Sequence, residues 1–350
     1  MRLRVIGLFM LVVVAVLGAS CRDSGHTTAP AGAPPSVTPP TAGGSTDPSA
    51  PGHTAIPTVS VTASSTVTGG CGLLPAGVSP GATAVRQLVS GGKNREFRLH
   101  YPVKPPTGAL PVVLNWHGLG SNAAEQEIYS GLAPISDREG FILVSPDGLG
   151  TPRSFAAFPG VAGNADDIQF AKDILDALRK DLCIDPSRVY STGMSNGAFM
   201  SSRLGCELSD RIAAIAPVAG INYPRVGRCG GAVPVLAFHG TDDLVVPFAA
   251  GRILGVLPYE GARDNLSEWG QHDIAHACDQ NPVSIEHITE HVRRETYDTC
   301  GGPPVSLVVV EGGGHTWPGA IPVLTLGATT NEVSAAEMIW AFFKDLRLKP

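Results

Sequence analysis

The sequence predicts an α/β domain built on a mostly parallel sheet. Short apolar runs recur at Pro111–Trp116, Phe141–Val144, Arg188–Thr192, Ile212–Val218, Val233–Phe238 and Val305–Val310. Between several of them lie stretches whose apolar residues fall at helical spacing. Runs without polar alternation are what strands covered on both faces look like, and strands interleaved with helices argue for parallel order.

Each element has a local reason. Pro111-Val112-Val113-Leu114-Asn115-Trp116 is a buried strand closed by a glycine turn, and Phe141–Val144 stops at Pro146-Asp147-Gly148. From Ala165 to Leu182, the residues Ile168, Ala171, Ile174, Leu175, Leu178 and Leu182 share one helix face, with Asn164 placed to cap it. Arg188–Thr192 runs into Gly193, and Ala198–Leu204 reads as a helix. Ser334-Ala335-Ala336-Glu337 is a capping box that opens a last helix, with Ile339, Phe342, Phe343 and Leu346 turned inward. Trp269 and Trp340 fall in helical patterns and are expected in the core.

Composition narrows the function. The chain has 350 residues, a net charge of −6 and no dense cluster of Lys or Arg, the wrong balance for binding nucleic acid. Aromatic residues make up 6 %, too few for a stacking surface along the whole chain. No phosphate loop, metal-ligand cluster or dinucleotide fingerprint occurs, and no cofactor is expected.

The N-terminus reads as an export signal over residues 1–20. Arg2 and Arg4 precede an apolar run of 13 residues, Val5–Leu17, which is short for a membrane span, and then Gly18, Ala19, Ser20 and Cys21 follow. Cys21 after three small residues resembles the cleavage site of a bacterial lipoprotein, where the cysteine takes the lipid. Of the 49 residues from Arg22 to Gly70, 39 are Pro, Thr, Ser, Ala or Gly, a tether with too little apolar surface to fold. The catalytic domain is expected over residues 71–350, outside the cytoplasm, as a monomer held to the membrane only by its lipid. The remaining six cysteines suggest three disulfides. The expected pairs are Cys278 with Cys300, Cys183 with Cys206, and Cys71 with Cys229.

Gly193-Met194-Ser195-Asn196-Gly197 fits G-x-S-x-G, the tight strand-to-helix turn that exposes a nucleophilic serine. An apolar strand precedes it and a helix of small residues follows, which is the setting that turn requires. Downstream, Val235–Phe238 ends in His239-Gly240-Thr241-Asp242-Asp243, and Val308–Val310 leads through Glu311 and three glycines to His315. Serine, acid and histidine, each on a loop after a strand, follow the α/β-hydrolase order. Ser195 would attack a carbonyl carbon, His315 would take its proton, and Asp243 would orient the imidazole. His239 competes as base, although a packing role at the strand end suits it better, and Asp242 competes as acid. Backbone donors for the oxyanion are expected at Leu119, in His117-Gly118-Leu119-Gly120, and at Asn196. Trp116 and Trp317 are candidates to line the substrate.

Four segments together resemble the secreted esterases grouped with polyhydroxybutyrate depolymerases and feruloyl esterases in carbohydrate esterase family 1. They are Asn115–Gly118, Asp185–Tyr190 running into the Ser195 elbow, His239–Asp243 with Val246-Pro247, and Gly314–Gly319. The signal and tether look like the actinobacterial lipoprotein branch, the LpqC type. The resemblance implies a serine carboxylesterase with an acyl-enzyme intermediate, and it supports Asp243 as the acid. The implied substrates are feruloyl or acetyl esters of polysaccharide, or short hydroxyalkanoate esters. Two features depart from the pattern: Ala198 and Phe199 follow the elbow where many relatives carry another glycine, and there is no separate polymer-binding domain. The alternatives are acyl transfer to a sugar, as in mycolyl transferases, and surface binding on an inactive scaffold.

Overall fold

The structure is a computed structural model that describes residues 74–158, 165–224, 229–271, 282–299 and 301–348. The export signal, Cys21 and the tether lie outside these residues, as do Asn164, Cys71, Cys278 and Cys300. No helix among the described residues is long and apolar enough to cross a membrane.

Two antiparallel strands open the fold, β1 (Ala82–Ser90) and β2 (Lys93–Tyr101), followed by β3 (Leu110–Trp116). Helices α1 (Ala123–Ser130) and α2 (Leu132–Glu139) lead to β4 (Ile142–Pro146), and α3 (Asp167–Asp181) leads to β5 (Ile184–Met194). After α4 (Asn196–Glu207) come β6 (Ala214–Val218), β7 (Val235–Gly240) and a small separate ribbon of β8 (Gly251–Ile253) and β9 (Leu257–Tyr259). Helix α5 (Ala262–Gln271), the hairpin β10 (Pro282–His287) and β11 (Val292–Tyr297), β12 (Val305–Val310) and α6 (Ala335–Phe343) complete it.

Ten strands form one sheet in the order 1-2-4-3-5-6-7-12-11-10. Strands β4, β3, β5, β6, β7 and β12 are parallel, and antiparallel pairs flank them on both sides. The expected apolar runs are these central strands, buried along their length. Residue alternation splits the core between the two faces of the sheet. Val112, Leu114 and Trp116 pack on the side of α3, α4 and α5, while Val113 packs with α2 and α6. Trp269 and Trp340 are buried as expected.

Local chemistry sets the helix ends. Helix α3 starts two residues later than the periodicity suggests, because Asp166, not Asn164, caps it by accepting the Gln169 N–H at 2.9 Å. Ser334 caps α6 as expected, accepting from Glu337 N, but the Glu337 carboxylate turns to Arg138 instead of back to the cap. That helix ends at Phe343, with Ile339 and Phe343 buried and Phe342 only half-buried.

The disulfide pattern differs from the expected one. Cys206, near the end of α4, is bonded to Cys229 with a Cα–Cα distance of 4.2 Å. Cys183 is also disulfide-bonded, to neither of these. Hence the pairs Cys183–Cys206 and Cys71–Cys229 do not form. After β6 the chain doubles back to the end of α4, where Gly230 N–H donates to Cys206 O at 3.0 Å. Tertiary proximity of that kind leaves no trace in cysteine spacing.

Candidate active site

All three catalytic candidates hang from the carboxyl ends of parallel strands. Ser195 follows β5, Asp243 lies three residues past β7, and His315 five past β12. Register aligns the strand ends across the sheet: Met194 pairs with Val218, Val218 with Phe238, and Gly240 with Val310. Residues remote in sequence therefore meet along one edge, the usual place for ligands in such sheets.

The turn at Ser195 is strained. Its backbone has φ 56° and ψ −117°, a region that costs a non-glycine residue about 1–3 kcal/mol. Ser195 N–H donates to Val218 O at 3.0 Å and ties the turn to β6. The flanking glycines are obligatory, since a Cβ at Gly193 would lie 2.6 Å, and one at Gly197 2.1 Å, from the Trp116 carbonyl oxygen. So close an approach sets the chain after β3 against the start of α4. Asn196 N–H, in the first turn of α4, has no intrahelical acceptor and lies at the positive end of the helix dipole.

The His117–Gly120 turn abuts the nucleophile, for a Cβ on Gly118 would lie 3.5 Å from Ser195 Cβ. Gly148 N–H donates to His117 Nε2 at 2.9 Å, which leaves the proton on Nδ1 to donate to Gly118 O at 2.7 Å. Ser121 N–H also donates to Gly118 O, and Gly120 N–H to Arg153 O. Leu119 N–H makes no hydrogen bond among the described residues and remains available as a donor.

Asp243 and His315 are joined and buried, with 2.8 Å between Oδ2 and Nδ1. The other carboxylate oxygen accepts Val245 N–H at 2.9 Å and Val246 N–H at 2.8 Å. Burial opposes ionisation of Asp243. The charge and hydrogen bond of His315, the nearby His239 and the Val246 N–H outweigh it and hold the carboxyl below its usual range. Asp242 is exposed and does not touch His315, so the geometry favours Asp243. His239 is wholly buried at the end of β7, with Nε2 donating to Val246 O at 2.9 Å and standing 3.5 Å from Asp243 Oδ2. Burial lowers its pKa despite the pull of Asp243, so it packs as a neutral ring. That agrees with the strand-end role expected for it.

The two tryptophans stand elsewhere than expected. Trp116 is fully buried beneath the site, with its indole N–H on Ser191 Oγ at 3.1 Å and its ring edge-on to Phe155. Trp317 is 1 % exposed and belongs to the core packed against α6. Neither lines an open surface: Trp116 ends a strand buried along its whole length, and Trp317 lies inside the core cluster on the α6 side.

One group of positioning residues escaped the sequence reading. The Asn196 side chain clasps Phe155, accepting its N–H at 2.7 Å and donating to its carbonyl at 3.1 Å. Ala156 N–H donates to Asp167 Oδ2 at 2.7 Å, and Arg203 donates to Ala156 O. Asp167 in turn forms a buried ion pair with Arg95 at 2.6 Å, whose guanidinium lies 3.8 Å over the Phe170 ring. Three side chains thus clamp the Phe155–Ala157 segment, and Phe155 backs the His117 ring at 4.6 Å. Arg95 and Asp167 are 72 residues apart, and nothing in the local sequence marks them as partners.

Comparison with known proteins places the chain. No family model matches it. Over 289 residues it is 31 % identical to the putative esterase NocK of Nocardia uniformis subsp. tsuyamanensis, covering 74 % of this chain and 82 % of that one. It is 33 % identical over 229 residues to feruloyl esterase B of Piromyces equi, covering 61 % of this chain and 42 % of that one, so it spans under half the length of that relative. Among solved structures, an acetyl xylan esterase from Aspergillus awamori matches with a TM-score of 0.52 at 14 % identity, over 67 % of this chain and 94 % of that one. That likeness concerns fold, and together with the strand order and the elbow it defines an α/β-hydrolase. By its extended identity to NocK, the chain belongs to the esterase family, the carboxylic ester hydrolases.

Proposed function

We propose that the protein is an extracellular serine carboxylesterase working through an acyl-enzyme on Ser195. The observation that carries the proposal is the buried Asp243–His315 hydrogen bond of 2.8 Å on the same sheet edge as the strained Ser195 elbow. His315 Nδ1–H is held by Asp243, which leaves Nε2 to take the serine proton as Oγ attacks the ester carbonyl. The carboxylate then stabilises the imidazolium without itself taking up the proton. Charge forming on the carbonyl oxygen meets two backbone donors, Leu119 N–H and Asn196 N–H, fixed before reaction by the glycine turn and the helix. The alcohol leaves with the proton from His315, and water attacks the acyl-enzyme by the same route reversed.

The substrates are feruloyl or acetyl esters of polysaccharide, or short hydroxyalkanoate esters. The names of the relatives and the motif resemblance support that class. Residues 1–20 deliver the enzyme outside the cytoplasm, with Cys21 lipidated as in the LpqC-type branch, and the disulfide between Cys206 and Cys229 suits that compartment. The test is hydrolysis of p-nitrophenyl acetate, butyrate and octanoate and of methyl ferulate, with Ser195→Ala and His315→Ala alongside. Turnover that both variants lose while remaining folded supports the reading. A folded native protein silent on all four esters refutes it.

A further inference from the structure

The turn after β3 reads His117-Gly118-Leu119-Gly120-Ser121, so the expected oxyanion donor, Leu119 N–H, hangs between two glycines. Glycine leaves both backbone dihedrals soft, and Gly120 uses that freedom at φ 78°. Softness is at odds with the work of such a donor, which lowers a barrier only if it is aimed before charge forms. A hydrogen bond also weakens steeply once the donor angle falls below about 120°. Something must therefore stiffen the turn.

The stiffening acts at the Gly118 carbonyl. Gly118 O and Leu119 N–H belong to one planar trans peptide, in which they point in opposite directions. Whatever holds the carbonyl thus aims the N–H. Two donors hold it: Ser121 N–H at 3.1 Å, across the turn, and His117 Nδ1–H at 2.7 Å.

The shorter bond comes from a ring that is itself fixed. His117 is fully buried, its Nε2 accepts Gly148 N–H at 2.9 Å, and the Phe155 ring backs it at 4.6 Å. Only the tautomer protonated on Nδ1 serves both partners, since Gly118 O needs a donor and Gly148 N–H needs an acceptor. Asp147, 3.4 Å from Nε2, has Ala123 N–H and Arg153 as partners of its own. The same brace reaches the second expected donor, Asn196 N–H, because the Asn196 side chain grips Phe155 at both N–H and carbonyl. One run of contacts, from Asn196 through Phe155 and His117 to Gly118, spans the two donors.

We propose that His117 is a positioning residue for the oxyanion hole, holding the Gly118–Leu119 peptide so that Leu119 N–H is aimed before substrate arrives. The proposal rests on the esterase reading above, which supplies the charge to be met. The imidazole transfers no proton and touches no substrate. Its loss is felt in the transition state and not in ground-state binding, so kcat falls while KM holds.

The test sets the two ends of the imidazole against each other in the full chain. His117→Asn keeps an N–H where Nδ1 stands, able to donate to Gly118 O, and gives up the acceptor for Gly148 N–H. His117→Gln keeps an acceptor where Nε2 stands and gives up the bond to Gly118 O. Each variant loses one buried hydrogen bond, so both are expected to melt at similar temperatures by circular dichroism. On p-nitrophenyl butyrate, His117→Gln is expected to lose about 30-fold in kcat at a KM within about twofold, less than outright loss of a donor would cost. His117→Asn is expected to stay within about threefold of the native kcat. Equal kcat in the two variants, or activity that follows melting temperature with no advantage to Asn, overturns the proposal. If either variant fails to fold, Phe155→Leu loosens the ring while sparing every polar group, and kcat is expected to fall about threefold at constant KM. A native kcat in that variant overturns the proposal as well.

The same proteins are treated with a fluorophosphonate and weighed intact. Ser195 Oγ displaces fluoride from phosphorus, and the phosphoryl oxygen meets the same two donors without any ester being turned over. A native chain that is labelled but hydrolyses no ester sinks the esterase reading alone, and the ranking of labelling rates among the variants then decides the role of His117. A native chain that does neither overturns both.

Discussion

Replacing Gly197 by Ala tests whether close approach of two backbones builds the catalytic geometry. The added methyl would lie 2.1 Å from Trp116 O, 2.5 Å from Trp116 C and 2.8 Å from His117 O. A comfortable carbon–oxygen contact is roughly 3.3 Å, so the chain after β3 and the start of α4 must separate by about 1 Å. Every atom involved is backbone, and no rotamer change can relieve the clash. Overpacking of this kind costs about 1–3 kcal/mol, and the upper end is expected because nothing nearby is free to move. For a domain of this size that lowers Tm by roughly 5 °C. The separation falls between Leu119 N–H and Asn196 N–H, and displacing catalytic groups by about 1 Å costs on the order of 10² in kcat. Turnover of p-nitrophenyl butyrate at saturation and thermal unfolding followed by circular dichroism measure both effects. Gly118→Ala is the control for stability, since its methyl would meet only ordinary contacts at 3.5 and 3.6 Å. The reasoning is refuted if Gly197→Ala melts with the native protein and keeps its kcat within about twofold.

Three more outcomes follow from the same geometry. Asp243→Asn should cost roughly 10³–10⁴ in kcat by disturbing the His315 tautomer, while Asp242→Asn stays within a fewfold; the reverse ranking would move the acid by one residue. Asp167→Asn leaves the Arg95 guanidinium buried without its counter-ion and should destabilise the fold by about 3–5 kcal/mol in urea titrations. Burial keeps His239 neutral with a pKa below the ordinary 6.5, so the unfolded chain binds a proton that the folded one refuses. Its share of stability is complete above pH 6.5 and falls as pH drops towards the lowered value, and His239→Gln should flatten that slope in unfolding curves taken from pH 5 to 8.

The parts of the fold legible in the sequence are those whose signal is local. Val305–Val310 is visible to the residue because a strand covered on both faces needs only apolar side chains. The Ser195 elbow is equally visible, since the glycines on either side answer to contacts that the turn itself creates. By contrast, β1 and β2 pair over their whole length yet present no apolar run. Strand β2 reads Lys-Asn-Arg-Glu-Phe-Arg, and its Arg95 is buried only because Asp167 and Phe170 wait for it across the fold. The clasp of Asn196 on Phe155 and the Cys206–Cys229 bond are hidden for the same reason: each is a tertiary event between residues whose neighbours in sequence are unremarkable. Trp116 and Trp317 are buried: adjacency to a candidate site residue in sequence says nothing about which way a ring turns.

The pairing of Gly240 with Val310, 70 positions apart in the chain, divides the labour between strands and loops. The separation of Asp243 and His315 is set by two neighbouring strands, while the chain between them makes a ribbon, a helix and a hairpin. Of that excursion, the start (Asp243–Val246) and β11, which pairs with β12, touch the elements that set the spacing. The spacing at the sheet edge thus answers to two strands, and the ribbon, helix and hairpin between them answer to the surface they cover.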